Sequence, residues 1–214
     1  CESKNIHMHG HPIIWGNTKW NHPSWISKDP DKVAEMERLF NKRITEICTY
    51  YKDRIPSWDI VNESVDEEPA KPRYGVIPDD YTFKSFKLAE NIFQTSVKMC
   101  INDSWRAVYP PFIQDLISRG AKIDVVGLQM HIFDSQSCLD VADGKTVFPN
   151  KTSWKPQDVI RYLESLDSLQ RPIHLSEITI PSPGNAPVDD EIQAVIAHDM
   201  YRLWFSWPSI YRIT

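Results

Sequence analysis

The sequence contains no C-x-x-C pair, no apolar run near the roughly 20 residues of a membrane span, no long block of like charge, no internal repeat and no low-complexity tract. Each absence excludes a class of protein. Cys1, Cys48, Cys100 and Cys138 are too widely spaced for a zinc ribbon or a dense disulfide scaffold. The 24 basic and 29 acidic residues are intermixed and leave a net charge of −5, which argues against both a nucleic-acid footprint and a basic membrane-surface patch. With no span and no basic-then-apolar leader, a soluble protein is expected, making no contact with nucleic acid or membrane.

What is present is an ordinary globular composition. At 214 residues, 41% hydrophobic and 25% charged, the chain is long enough for one domain with a sizeable core. It opens Cys-Glu-Ser-Lys without Met and is strand-like within ten residues, which predicts a fragment or a trimmed product. Eight Trp exceed the usual proportion. Trp faces serve as stacking platforms in sugar-binding clefts, and core packing is their other common use.

Apolar periodicity divides the chain into alternating strands and helices. Residues 6–15 end in an apolar run that predicts a first strand whose pairing Pro12 limits, and in an extended segment His7, His9 and His11 fall at period two and so share a side. Residues 17–30 read as a Trp- and Pro-rich loop, and 31–51 as an amphipathic helix through Val33, Met36, Leu39, Phe40, Ile44 and Ile47. The stretch Ser57-Trp58-Asp59-Ile60-Val61-Asn62-Glu63 is a short apolar strand ending in Asn-Glu, followed by a turn-rich segment over 64–80. Helices follow at 80–95, 111–118, 155–169 and 189–205, and strands at 97–103, 123–131 and 172–177, with the start of another at 211–214.

Strand then helix, repeated about five times with continuous rather than alternating apolar runs, predicts an α/β fold around a parallel sheet covered on both faces. In such folds sites form at the carboxyl ends of the strands, where Glu63 and Glu177 both fall. They stand three strand–helix units apart at roughly 30 residues per unit, a spacing that places two carboxyls across one barrel mouth. Cleavage of a glycosidic bond through an oxocarbenium-like transition state uses such a pair, one carboxyl protonating the leaving oxygen and the other acting at the anomeric carbon.

Five blocks then carry a resemblance: Gly10-His11-Pro12-Ile13-Ile14-Trp15, Trp58-Asp59-Ile60-Val61-Asn62-Glu63, Ile101-Asn102-Asp103, Gly127-Leu128-Gln129-Met130-His131 and Leu175-Ser176-Glu177. In order and interval the chain resembles glycoside hydrolase family 10, the endo-1,4-β-xylanases. The resemblance implies a (β/α)8 TIM barrel, here incomplete, covering about strands three to seven and the start of eight, so that residues 1–214 form a single partial catalytic domain. It implies retaining hydrolysis of internal β-1,4 bonds of xylan, with Glu63 as general acid and base and Glu177 as nucleophile. Asn62 would hold the sugar 2-hydroxyl, His131 would orient the nucleophile with Gln129 beside it, and His11 and Trp15 would line the subsite upstream of the cut. No cofactor and no metal are implied. The expected partner is xylan or a xylo-oligosaccharide, the expected state a monomer, and the expected location outside the cell, because the polymer is too large to enter.

The pattern also departs from the family. Thr179 stands where an acidic residue usually bonds the same histidine, which leaves the network around Glu177 open. Gly16 stands where a second His commonly follows the Trp, and Ser104-Trp105 replaces the more usual aromatic-Asn pair. A barrel short of two strands has open edges, so residues 1–214 alone are expected to fold poorly and to be weakly active. Two other readings compete. One is a metal-dependent barrel hydrolase in which His9 and His11, or His7 and His9, join His131 and His174 around zinc. The other is a non-catalytic xylan-binding fragment.

Overall fold

Helix α1, Val33–Tyr51, buries Met36, Phe40, Ile44 and Cys48, a four-residue repeat that keeps one stripe facing inward. In this computed structural model, which describes residues 2–4, 6–16, 22–26, 29–66, 77–133, 135–143, 146–147, 152–153 and 156–214, the stripe belongs to the first of two compact units, Cys1–Gly127. Asp29 starts the helical segment by accepting from the Asp31 amide, and Pro30 opens the 3-10 turn Pro30–Lys32 that leads into α1.

The strands of this unit are β1, Ile14–Trp15; β2, Ser57–Asn62; and β3, Lys98–Ser104, with β1 pairing β2 and β2 pairing β3 in parallel. Every residue of β2 is buried, as a strand covered on both faces must be. The register with β3 slips by one between Asp59 and Val61, a bulge of the kind that re-aims side chains beside a site. Strand β1 is short, as Pro12 in the predicted segment leads one to expect. Pro12 has no amide to offer a ladder, and upstream of Ile14 the pairing is reduced to a bridge from Gly10 to Trp58. A Cβ on Gly10 would sit 2.1 Å from the Trp58 ring, so the crossing requires glycine.

Helix α2, Tyr81–Glu90, buries Tyr81, Phe86 and Ala89, and ends sooner than its apolar pattern suggests. Phe93, counted in that pattern, packs instead from the following turn against Trp58, at 6.3 Å between ring centroids, and Tyr51 meets the same indole at 5.2 Å. Helix α3, Tyr109–Ser118, carries Pro110 in its first turn, where the missing amide costs nothing. The Tyr109 hydroxyl reaches Ile101 O at 3.1 Å and Gly127 O at 2.9 Å, tying α3 to β3 and to the start of strand β4, Val125–His131.

The second unit runs over Leu128–Thr214, so the boundary falls within β4 itself. It contains helix α4, Ser135–Ala142; a two-stranded antiparallel pair, β5 Thr146–Val147 and β6 Thr152–Ser153; helix α5, Pro156–Asp167; strand β7, Ile173–Thr179; helix α6, Pro187–Phe205; and strand β8, Ile210–Ile213. α6 buries Ile196, Met200 and Trp204 at four-residue spacing, and β7 pairs β8 in parallel. The large sheet has the order β1-β2-β3-β4-β7-β8. α4 and the β5–β6 pair were not anticipated, because segments this short carry too few apolar positions to show a period. The expected loops at 17–30 and 64–80 fall partly on 17–21, 27–28 and 67–76, which lie outside the described residues.

Candidate active site

In the first unit the site begins with Asp59, a carboxylate in an otherwise apolar strand. Its side chain is about 1% exposed. A bare carboxylate cannot be left so deep, and its Oδ2 accepts two hydrogen bonds, from His9 Nε2 at 2.9 Å and from His11 Nδ1 at 2.8 Å. Because His9 donates through Nε2, its Nδ1 in the neutral ring accepts from the Ser57 hydroxyl at 2.7 Å. Burial alone would push the Asp59 carboxyl up, but the hydrogen bonds from His11 and His9 outweigh it and hold the group below its ordinary range. Of the period-two histidines, His9 and His11 share a side, and their common partner is an acid. His7 is exposed.

Beyond Asp59 the strand delivers Asn62 and Glu63. Asn62 is buried, and its Oδ1 accepts from Asn102 Nδ2 on β3 at 2.7 Å. That bond assigns the amide's orientation, with its oxygen toward Asn102. Glu63 adopts φ 53°, in the left-handed region that side chains other than glycine rarely occupy. Its amide donates to Asn102 O at 2.8 Å, which fixes the backbone there, and Glu63 Oε2 accepts from Trp15 Nε1 at 2.9 Å. Left-handed strain of about 1–3 kcal/mol at a strand-end acid is typical of a residue whose direction matters more than its comfort. Asp103 is also buried and accepts from the amides of Val65 and Ser104, so it closes the turn after Glu63. Gly127 is required here as well, since a Cβ would lie 2.5 Å from Asn102 Oδ1.

In the second unit Glu177 stands near the end of β7, with a side chain 30% exposed. Gln129 Nε2 donates to Oε1 at 3.1 Å, and His131 Nε2 lies 3.3 Å from Oε2. Gln129 and His131 are two apart on β4 and so present to one face, the placement predicted from the strand pattern. The open question around Thr179 has an answer: its hydroxyl lies 2.8 Å from His131 Nδ1 and occupies the ring's second nitrogen. His174 is on the other face of β7, buried, with Nε2 2.7 Å from the Thr214 hydroxyl. Of the histidines considered for zinc, His9 and His11 are engaged with Asp59, His131 with Glu177 and Thr179, and His174 with Thr214, while His7 is exposed. Among the described residues no group of three or more His, Cys, Asp or Glu could hold a metal ion.

The structure therefore gives a partner to each predicted site residue: Glu63 to Trp15, Asn62 to Asn102, His11 to Asp59, and Gln129 and His131 to Glu177. Sequence reasoning quoted Asp59 within its strand but gave it no task. The available signal was an acid buried in an apolar run opposite period-two histidines.

The sheet is that of a (β/α)8 barrel protein. The chain superposes on native xylanase 10B from Thermotoga maritima with a TM-score of 0.77 at 20% identity, covering 99% of this chain and 63% of that one. It matches xylanase 10B from Thermotoga petrophila RKU-1 in complex with xylobiose equally well, with a TM-score of 0.77 at 23% identity over 99% of this chain and 62% of that one. The chain belongs to glycosyl hydrolase family 10, whose model matches residues 1–210. A curated relative, endo-1,4-beta-xylanase A of Caldicellulosiruptor sp. (strain Rt8B.4), is 27% identical over 212 residues, spanning 89% of this chain and 28% of the relative. The chain thus spans under a third of that relative's length and under two thirds of the two solved structures.

Proposed function

We propose that the protein is a retaining endo-1,4-β-xylanase acting on xylan and xylo-oligosaccharides, with residues 1–214 contributing to one catalytic domain. The observation that carries this reading is the different company of the two strand-end glutamates. Glu177 Oε1 and Oε2 each face a side-chain nitrogen, from Gln129 and His131, an environment that favours the ionised form a nucleophile needs. Trp15 Nε1 donates to Glu63 Oε2, which directs the carboxyl of a group that must hold and then give up a proton.

In this mechanism Glu63 protonates the leaving oxygen while Glu177 attacks the anomeric carbon. The glycosyl–Glu177 ester forms as the C–O bond of the leaving sugar breaks. Glu63, now a carboxylate, takes a proton from water, and that water attacks the same carbon and releases Glu177. Two inversions give net retention, and the chemistry demands carboxyls about 5–5.5 Å apart. Asn62 donates to the sugar 2-hydroxyl, and His11 and Trp15 line the upstream subsite. The xylobiose bound to the Thermotoga petrophila relative supports a xylose-based ligand. The polymer's size calls for action outside the cell.

The test is hydrolysis of a xylo-oligosaccharide followed by proton NMR from the first turnovers. The β-anomer appears first if configuration is retained. Glu63→Ala lowers kcat by on the order of 10²–10⁴ on substrates whose leaving group needs a proton. Initial release of the α-anomer, or full activity in that variant, overturns the proposal.

A further inference from the structure

Glu177, His131 and Thr179 form a relay of carboxylate, imidazole and hydroxyl whose last member has a definable task. Glu177 and Thr179 are two apart on β7 and so face the same way, and one imidazole from β4 spans both. The Ile132 amide donates to Thr179 O at 2.8 Å, which fixes the backbone of the hydroxyl-bearing residue against the end of β4. The Phe133 ring lies against the imidazole at 4.7 Å between centroids and 24° between planes, and so sets the ring's tilt. Among the described residues the imidazole's hydrogen-bonding, ionic and ring partners are Thr179, Glu177 and Phe133, and of these Glu177 alone titrates.

An ionised carboxylate only accepts, so the 3.3 Å contact with Glu177 is a hydrogen bond only while His131 Nε2 carries a proton. Nδ1 is then bare in the neutral ring and protonated in the imidazolium. Few side chains serve both states. A carboxylate accepts from Nδ1–H but repels a bare Nδ1, and an aliphatic group serves neither. A hydroxyl donates to a bare Nδ1 and accepts from Nδ1–H by turning about its C–O bond.

We infer that Thr179 is a positioning residue that keeps the His131 Nε2–H directed at Glu177 in both protonation states of the imidazole. The inference rests on the reading of Glu177 as nucleophile. It predicts that the carboxylate retains the His131 donor as pH rises through the ring's titration, so deprotonation of His131 does not of itself end activity. Phe133 and Gln129 cannot supply this, the first having no hydrogen-bonding group and the second being engaged with the other oxygen.

The direct test is the tautomer of His131 in the protein its gene encodes. The protein is labelled with 15N-histidine, the signals are assigned by their loss in His131→Gln, and long-range 1H–15N spectra are recorded below and above the ring's titration. The expected result is Nε2 protonated at both pH values, with only Nδ1 changing. Thr179→Ser preserves this pattern. Thr179→Val keeps the volume without the hydroxyl, mixes the tautomers of the neutral ring, and lowers kcat about tenfold above the titration, with KM changed less than about twofold. Thr179→Asp draws the neutral ring's proton to Nδ1 and gives kcat a new alkaline limb. A neutral wild-type ring protonated at Nδ1, or a Thr179→Val variant unchanged in both tautomer and kcat, overturns the inference. Because the spectra need no turnover, an Nε2–H ring in a protein that cleaves no glycoside would fail the proposed function while leaving the hydroxyl's role standing. Turnover with an Nδ1–H ring would do the reverse.

Discussion

Asp59 shows what one residue can be made to carry. It is a buried acid whose Oδ2 accepts from two imidazoles, and hydrogen bonds to a charged group are worth about 1.5–3 kcal/mol each. Its folded-state pKa lies below the unfolded value of about 3.9, so this stabilisation is complete above that value and is lost as pH falls through the depressed one. Chemical denaturation of the wild type from pH 6 down to pH 3 should show the decline, and Asp59→Asn should flatten it. That variant turns an amide N–H or a weaker acceptor toward His9 and His11, and should be less stable at pH 7 by about 1.5–3 kcal/mol. An acid profile unchanged by the substitution would show that the carboxylate is not the titrating group. Cys48 makes a second residue-scale case. Burial pushes its thiol up to about 12, so the folded protein should resist iodoacetamide at that position near pH 8, with labelling appearing only on unfolding.

At the scale of elements, the strands set what each residue can reach. β2 runs through an apolar environment with a bulge at Ile60, and within six residues it supplies Asp59 to the histidines and Asn62 to β3. Gly10 admits the chain ahead of β1 across the face of Trp58, and Gly10→Ala must push strand and indole apart. Overpacking of this kind costs about 1–3 kcal/mol. Gly10→Ala should therefore lower the denaturant midpoint by that amount and also reduce activity, because His9, His11 and Trp15 lie on the same displaced segment. A midpoint within error of the wild type would mean that the segment yields without cost. Much of this level was legible in the sequence. Continuous apolar runs ending in Asn-Glu, Asn-Asp, Gln-x-His and Ser-Glu marked the strands of a parallel sheet, and the polar endings marked its rim. Two things were not legible. Pro12 already marks the first strand as limited in its pairing, but the sequence does not show that the Gly10 crossing of Trp58 leaves only a bridge ahead of a two-residue ladder. Asp59 read as one more strand residue, because sequence shows that a buried acid needs a partner but not that two histidines 48 and 50 positions away supply it.

At the scale of the whole molecule, the order β1-β2-β3-β4-β7-β8 and the family assignment account for the chain as part of a (β/α)8 barrel. Such a barrel gathers its chemistry at the carboxyl ends of its strands, and Trp15, Asn62 and His131 are the last residues of β1, β2 and β4. His9, His11, His131 and His174 are held by Asp59, Glu177 and Thr214, so hydrolysis of xylan should be unchanged after dialysis against EDTA; a loss restored by zinc would favour the metal-dependent reading. The central claim is that Glu177 forms the covalent intermediate. Its most direct test is Glu177→Ala in the protein its gene encodes, assayed on an activated aryl xylobioside with and without azide. Turnover should fall by on the order of 10⁴-fold or more without azide. With azide it should recover, giving a glycosyl azide of inverted, α configuration. No rescue by azide, or rescue that yields only the β-azide, would contradict the assignment.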